Sequence, residues 1–483
     1  METEPEPSTS PASNCRWVIL SRYGYCRDSD DASADAKASA SAEARTSAGR
    51  LFHVSFAAVP PPASSSFYYD WAGGGAGGFF SDPSLASIVA ANGDCAVIEL
   101  QVSTSTSRRS AAFDYFLYDA DAGAAARPPS LALLPARRFP MQHERGRTGC
   151  RLRLHDTGLL RRGGGDDGGI LVAQLEVCYD YGDRPPEAPC PDRRPRGTAE
   201  LCLLHYPGGR EWEIKRDLPI VVAGDNKQAS SSSSRHLDDD LGEDLRSWDA
   251  DAAAVAVGGR FLCWVNYPSV LLVWDTAADE GSAAASGELL YLRLPARGPD
   301  VRPHTRASRS MSAAGTAAVR LVSVDLHRRC STTSSDCDPG NRRCAFTVRT
   351  WTLSLTPPPP PATWVEECVL DCEELWLRAL PGYEAPPATW VEECVLDCEE
   401  LWALPGYEGL PFVPVEYPMA CSDDDPHVVV CFMNRNDYQR YIDRSDRRAW
   451  MIEVDMRKKT LRSVVPCTGE ERPEYHVPLK LQY

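Results

Sequence analysis

The sequence predicts an all-β protein with minor α content, built from repeated antiparallel hairpins. Three observations lead there. A unit of strand, polar loop and strand recurs along the chain and closes each time on a proline. Short segments rich in β-branched and aromatic residues fill the space between the units. Only one stretch carries both helix-capping and helix-stopping residues.

The clearest unit is YFLYDADAGAAARPPSLALLP at 115 to 135, an apolar strand ending in Asp119, a polar loop, and a second strand closing on Leu-Pro. The layout returns at 271 to 295 (LLVWDTAADEGSAAASGELLYLRLP) and at 450 to 466 (WMIEVDMRKKTLRSVVP), where Asp455 holds the place of Asp275. A looser version is LCLLHYPGGREWEIKRDLP at 201 to 219. Asp, Gly and Pro supply the bend chemistry in each. The closing prolines fall at 135, 219, 295 and 466, two nearly equal intervals and one about double, which is a quasi-period. Further strands are expected at 95 to 102, 170 to 181, 260 to 265, 319 to 326, 345 to 355 and 427 to 433.

Repeated hairpins at long intervals predict a β-propeller-like body with inserted loops, in which closure protects strand edges; two β-sandwich-like halves are the alternative. A chain of 483 residues suits either, since one core rarely serves that length. The single helix expected is SDPSLASIVAANG at 81 to 93, with Asp82 as N-cap, Pro83 in the first turn and Gly93 just past the end.

Composition divides the chain. Residues 1–14 read as a disordered N-terminus and 15–224 as an N-terminal β region with low-complexity loops, among them 28–49, Gly73 to Gly78 and Gly163 to Gly169. A Ser/Asp-rich linker follows at 225–246, and 247–483 is a C-terminal β region. Within the latter, PPATWVEECVLDCEELW stands at 360–376 and again, unchanged, at 386–402, and ALPGYE follows both copies. Two identical strands cannot fill one place in a sheet, so one copy is expected to bulge out as an insertion.

Charge and composition exclude several classes of function. A net charge of -17 repels phosphate backbones, and no Lys/Arg run is interleaved with aromatics, so nucleic acid is not an expected partner. The acidic, proline-bearing start lacks the basic and apolar regions of an export signal, and no apolar run reaches the roughly 20 residues of a membrane helix. The 18 cysteines are scattered through strand-like segments, which suits reduced thiols. A soluble cytoplasmic or nuclear protein is expected, without membrane association.

Candidate sites are few. Gly73, Gly75 and Gly78 match a GxGxxG string with Glu99 about 20 residues on, but low complexity generates the match and no βαβ pattern follows it. Cys368, Cys372, Cys394 and Cys398 of the duplicated segment suggest four thiolates around zinc. Residues four apart on a strand lie about 13 Å from each other, so only a helix would gather each pair. Val365, Cys368, Val369, Cys372, Leu375 and Trp376 do carry helical periodicity. His327, Cys330, Cys337 and Cys344 form a second cluster that reads as free thiols in a loop. The acidic runs at 238 to 251 and Asp423 to Asp425 read as solvated surface. Trp264, Trp274 and Trp450 read as core. No catalytic, cofactor-binding or metal residue is assigned, and no cofactor is expected.

The C-terminal half resembles the plant family known as domain of unknown function 1618 (DUF1618). The resemblance rests on SWDADAAAVAVGGRFLCWVNYPSVLLVWDT at 247 to 276, LLYLRLP at 289 to 295, ELWALPGYEGLPFVPVEYP at 400 to 418, DPHVVVCFM at 425 to 433 and AWMIEVDMRKKTLRSVVP at 449 to 466. The N-terminal half resembles the family's leader through CRWVILSRYGY, FLYDADAGAAARPPSLALLP and ILVAQLE. That resemblance implies no activity, cofactor or catalytic residue. The expected function is a non-enzymatic interaction scaffold whose rim loops bind another protein; an enzyme, acting on carbohydrate with carboxylates at a propeller centre, and a decaying duplicate without a selected role are the alternatives.

Overall fold

A computed structural model describes residues 17–26, 40–71, 86–102, 112–120, 128–137, 141, 150–162, 169–179, 197–222, 245, 248, 252–277, 287–295, 305–327, 345–355, 390–420, 428–437, 446–467 and 476–479. The protein is nearly all β. Its strands are β1 (Val18–Ser21), β2 (Tyr25–Cys26), β3 (Ala40–Arg45), β4 (Leu51–Ala57), β5 (Ser64–Trp71), β6 (Ala86–Asn92), β7 (Cys95–Gln101), β8 (Phe113–Asp119) and β9 (Ser130–Leu133). There follow β10 (Thr157–Arg161), β11 (Ile170–Tyr179), β12 (Gly197–Tyr206), β13 (Glu213–Val222), β14 (Ala252–Val257), β15 (Phe261–Asn266), β16 (Val270–Asp275) and β17 (Leu289–Arg293). Then come β18 (Arg309–Ala313), β19 (Ala318–Leu326), β20 (Phe346–Ser354), β21 (Val391–Asp397), the short helix α1 (Cys398–Trp402), β22 (Glu416–Ala420), β23 (Val429–Arg435), β24 (Ala449–Asp455), β25 (Thr460–Cys467) and β26 (His476–Leu479).

All four hairpins read from the sequence are paired antiparallel ribbons: β8 with β9, β12 with β13, β16 with β17, and β24 with β25. The chain forms two compact units, one of Met1–Thr104, Ala112–Leu134 and Tyr475–Tyr483, the other of Ser105–Ala111 and Pro135–Glu474.

In the first unit, β26 pairs with β1, and the sheet continues through β5 and β4 to β3, with β2 on the flank of β5. Strands β6 to β9 form a four-stranded meander. Phe52 and Phe116 lie 4.7 Å apart between ring centroids, as do Phe56 and Tyr118, so aromatics of both sheets share one core. Each such ring removed from water contributes about 1.5–3 kcal/mol.

The helix expected at 81 to 93 is corrected. Residues 86–92 are strand β6, whose Ala86, Ile88, Val89 and Ala90 are buried. Their backbone groups bond to β7 instead of along a helix. Gly93, with φ 56°, occupies the first position of a two-residue turn between the paired Asn92 and Cys95. A left-handed glycine serves a hairpin as well as a helix end, which is why the stop signal was ambiguous. Asp82 and Pro83 lie outside the described residues.

The second unit holds four meanders, β10–β13, β14–β17, β18–β21 and β22–β25, each of propeller-blade type. Parallel pairing of β13 with β17 merges the first two into one eight-stranded, nearly closed sheet. The first strands stand side by side in the order β10, β14, β18, β22. Strand β15 shows why these segments are continuously apolar: Leu262 and Trp264 face one core while Cys263 and Val265 face another. A strand covered on both faces loses the polar alternation of a half-exposed one.

The second copy of the duplicated segment is a strand for most of its described length. Val391–Asp397 pairs with β20, and only Cys398–Trp402 is helical. The free edge of β20 supplies backbone partners, and Cys394 and Leu396 alternate into the core from the strand. Asp397 caps α1: its Oδ1 accepts from the Glu400 amide at 2.9 Å, and Glu400 Oε2 accepts from the Asp397 amide at 3.2 Å. The helical periodicity of this sequence is thus realised over its final turn alone. The first copy lies outside the described residues. Among those described, no helix is long and apolar enough to cross a membrane.

Candidate functional site

The first strands of the second unit are entered through turns. At the head of β10, the amides of Asp156 and Thr157 both donate to the Arg153 carbonyl, at 3.3 and 3.1 Å. At the head of β18, the amides of Ser308 and Arg309 both donate to the Thr305 carbonyl at 3.0 Å. The carbonyl before each strand takes an amide from the next strand, Asp156 from Leu175 at 2.9 Å and Ser308 from Val324 at 2.7 Å. The two turns are therefore the same device used twice.

Between these turns Arg306 meets His155. Arg306 Nη1 lies 2.6 Å from His155 Nδ1 and 3.2 Å from Nε2. A guanidinium only donates, so the ring nitrogen it addresses accepts and carries no proton. Both side chains are half-buried. Ala307, the next residue, accepts from the amide of Tyr417 at 2.7 Å, which brings β22 to the same place.

Tyr417 has φ 51°, a left-handed conformation that a bulky residue adopts at a cost of order 1–3 kcal/mol. A register shift between Glu416 and Met419 accompanies it. Beside it, Glu416 Oε2 accepts from Arg435 Nε at 2.9 Å and lies 2.7 Å from its Nη2. Burial opposes the Arg435 charge, but Glu416 and Asp437 outweigh it and raise its pKa further. Behind the turns, buried Asp156 is paired with Arg153 at 2.9 Å, and its carbonyl accepts from Trp264 Nε1 at 2.9 Å. The carboxylates here are thus engaged by arginines, while Arg306, His155 and Tyr417 present half-exposed surface.

The residues considered from sequence are placed elsewhere. Trp264 and Trp274 are core, and Trp450 packs against the core at β24. Glu99 is buried in β7 and accepts from the hydroxyl of Tyr115, its cross-strand partner, at 2.9 Å. His327 Nε2 contacts Thr347 Oγ1 at 3.1 Å. Cys394 and Cys398 are free thiols. Gly73, Gly75, Gly78, Cys330, Cys337, Cys344, Cys368, Cys372 and Asp423 to Asp425 lie outside the described residues, as does the acidic run at 238 to 251 apart from Leu245 and Trp248. His155, Arg306 and Tyr417 went unread because no spacing rule links residues so far apart in sequence.

Several thiols are held protonated. Cys178 is pushed up to about 12, by burial first and then by Glu176, Glu200 and Asp217. Burial raises Cys263 and Cys394 as well. A nucleophilic or metal-poised thiol requires the opposite shift.

Residues 264–388 match the family described as protein of unknown function (DUF1618). Over that stretch the chain is similar to the DUF1618 family. The matched stretch takes in β16 to β20 and contains Arg306, whereas His155 and Tyr417 lie outside it. No curated protein matches the chain. Among solved structures, the α-L-arabinofuranosidase Arb93A from Fusarium graminearum, in complex with an iminosugar inhibitor, is similar at 9% sequence identity. The match covers 87% of this chain and 93% of that one, with a TM-score of 0.19, a likeness that carries no argument.

Proposed function

We propose that the protein is a non-enzymatic scaffold which presents the turns at the heads of β10 and β18, with the start of β22 beside them, to a protein partner. One observation carries this reading: Arg306 is held against His155, and the backbone of the half-exposed Tyr417 is tied to the carbonyl of the adjacent Ala307, so the Arg306–His155 pair is set beside a tyrosine before any partner arrives. Arginine and tyrosine are the residue types that anchor protein interfaces, and fixing them in advance lowers the entropy lost on binding. The nearby carboxylates of Asp156 and Glu416 are neutralised by arginines, an arrangement that favours a rigid rim over proton transfer.

The test is affinity capture with the full chain, scored by mass spectrometry, for wild type and Arg306→Ala. Partners retained reproducibly by the wild type and lost by the variant support the reading. Identical capture by both, or none above a bead control, overturns it.

A further inference from the structure

The segment that fills the place beside β20 occurs twice in the chain. Strand β21 runs along β20 from the Thr347–Asp397 pair to the Thr352–Val391 pair, with one residue, Glu393, bulged out of register. Three sets of contacts fix it there. Cys394, Leu396, Cys398 and Leu401 are buried in the core. Glu393 Oε2 accepts from Arg320 Nε at 3.0 Å, and Glu392 Oε2 from Arg349 Nη1 at 2.8 Å. The reciprocal Asp397–Glu400 cap closes α1. All these β21 and α1 side chains lie within residues 390–402, and the same thirteen residues stand unchanged at 364–376. These contacts therefore do not distinguish one copy from the other.

Chain length does not distinguish them either. With the second copy in place, 36 residues (355–390) join β20 to β21 and 13 (403–415) join α1 to β22; with the first, the same spans hold 10 (355–364) and 39 (377–415). Closure entropy grows only with the logarithm of loop length, so shortening one loop offsets lengthening the other to within a factor of about 1.3. What separates the copies is the sequence that follows. After Trp402, Leu404 and Tyr407 are buried, and the Tyr407 hydroxyl accepts from Asn434 Nδ2 at 2.6 Å. After Trp376, two extra residues, Leu377 and Arg378, delay the corresponding ALPGYE. Its leucine and tyrosine are thereby offset from the strand, which favours the second copy.

We propose that the edge of β20 is a strand-accepting surface with two occupants in the same chain: residues 390–402 hold it at rest, and residues 364–376 take it when the second copy is displaced. Strand addition suits such an exchange, because backbone bonds supply the attachment and the alternate side chains, identical in both copies, supply the fit. The exchange moves the 26 surplus residues from the β20 side of the strand to the β22 side, with no covalent change. It goes beyond the expectation that one fixed copy is the insertion.

The test uses the full chain carrying Thr350→Cys, whose new thiol stands opposite Cys394, combined with Leu370→Asp, Leu396→Asp or both. Aspartate at either position bars that copy from the core. After diamide oxidation trypsin separates the cases, since no Lys or Arg lies between 350 and 377 or between 379 and 434. A bond to the first copy closes within peptide 350–378, and a bond to the second joins it to peptide 379–435. The parent and Leu370→Asp are expected to give the joined pair, Leu396→Asp the closed peptide in its place, and the double variant neither. Without the added cysteine, the urea midpoint of Leu396→Asp is expected to lie nearer the wild type than the double variant does. Unfolding of Leu396→Asp, a midpoint equal to that of the double variant, or failure of the closed peptide to replace the joined pair overturns the proposal. Persistence of the closed peptide in the double variant does so by tracing it to proximity along the chain, and a disulfide-linked dimer by assigning the place to another molecule.

Discussion

The guanidinium of Arg309 donates from Nη1 to the backbone carbonyl of Tyr267 at 3.1 Å, and the tie is returned by the Met311 amide, which donates to the Tyr267 hydroxyl at 3.3 Å. Arg309 heads β18 and Tyr267 lies in the β15–β16 turn, so one meander is fastened to the next by backbone acceptors. Arg309 Nη2 also reaches the Pro295 carbonyl at 2.9 Å, and Nε reaches Ser323 Oγ at 3.2 Å. At 2% exposure this arginine is a structural bolt rather than a surface charge.

Removing that bolt is costly. Arg309→Met is expected to lose about 3 kcal/mol, because it strands buried carbonyls while leaving the volume nearly filled. Urea denaturation measures it; a midpoint unchanged from wild type would show that water replaces the guanidinium.

Gly258 takes φ 58° in the β14–β15 turn, and a Cβ there would stand 1.7 Å from the Thr316 carbonyl oxygen. Gly258→Ala must move backbone and accept left-handed strain together, so a loss of at least ~2 kcal/mol is expected. Gly315 also has positive φ but meets nothing within 4 Å, so Gly315→Ala is expected to cost about 1 kcal/mol, from strain alone. Comparing the two melting temperatures separates clash from conformation.

Trp264→Phe keeps the ring in the core but deletes the bond to the Asp156 carbonyl, at an expected cost of about 1–2 kcal/mol. Because Asp156 adjoins His155, the variant should also loosen partner binding in proportion to Arg306→Ala. Wild-type affinity beside the lowered stability would uncouple the tryptophan from the rim.

The thiols make stability depend on alkaline pH. Cys178 shifts from 9.0 to about 12, so the folded chain keeps a proton that the unfolded chain releases. Its contribution is complete below pH 9 and is lost as pH rises toward 12. Denaturant midpoints across that window should fall less steeply for Cys178→Ala than for wild type. Iodoacetamide at pH 8 should alkylate the exposed Cys26 well before the fully buried Cys263, as peptide mapping would show.

How much of this was legible follows from which signals are local. The hairpins were readable because Asp119, Asp275 and Asp455 end strands whose partners lie within one loop. Segments such as 319 to 326 and 427 to 433 were readable from β-branched density. The helix misread at 81 to 93 and the strand at 391–397 share a cause: short runs of apolar residues satisfy helical and extended patterns alike, whether buried consecutively as in β6 or alternately as Cys394 and Leu396 are in β21, and the neighbouring strand's free edge decides between them.

The sequence by itself determined an all-β chain and its bends, because these depend on each residue's own conformational preference and its near neighbours. Only the tertiary structure decided that β13 pairs in parallel with β17, that Arg309 bolts one meander to another, and that His155, Arg306 and Tyr417 meet. Contacts across such separations depend on how whole sheets pack, and no local pattern encodes a distance between residues on different sheets.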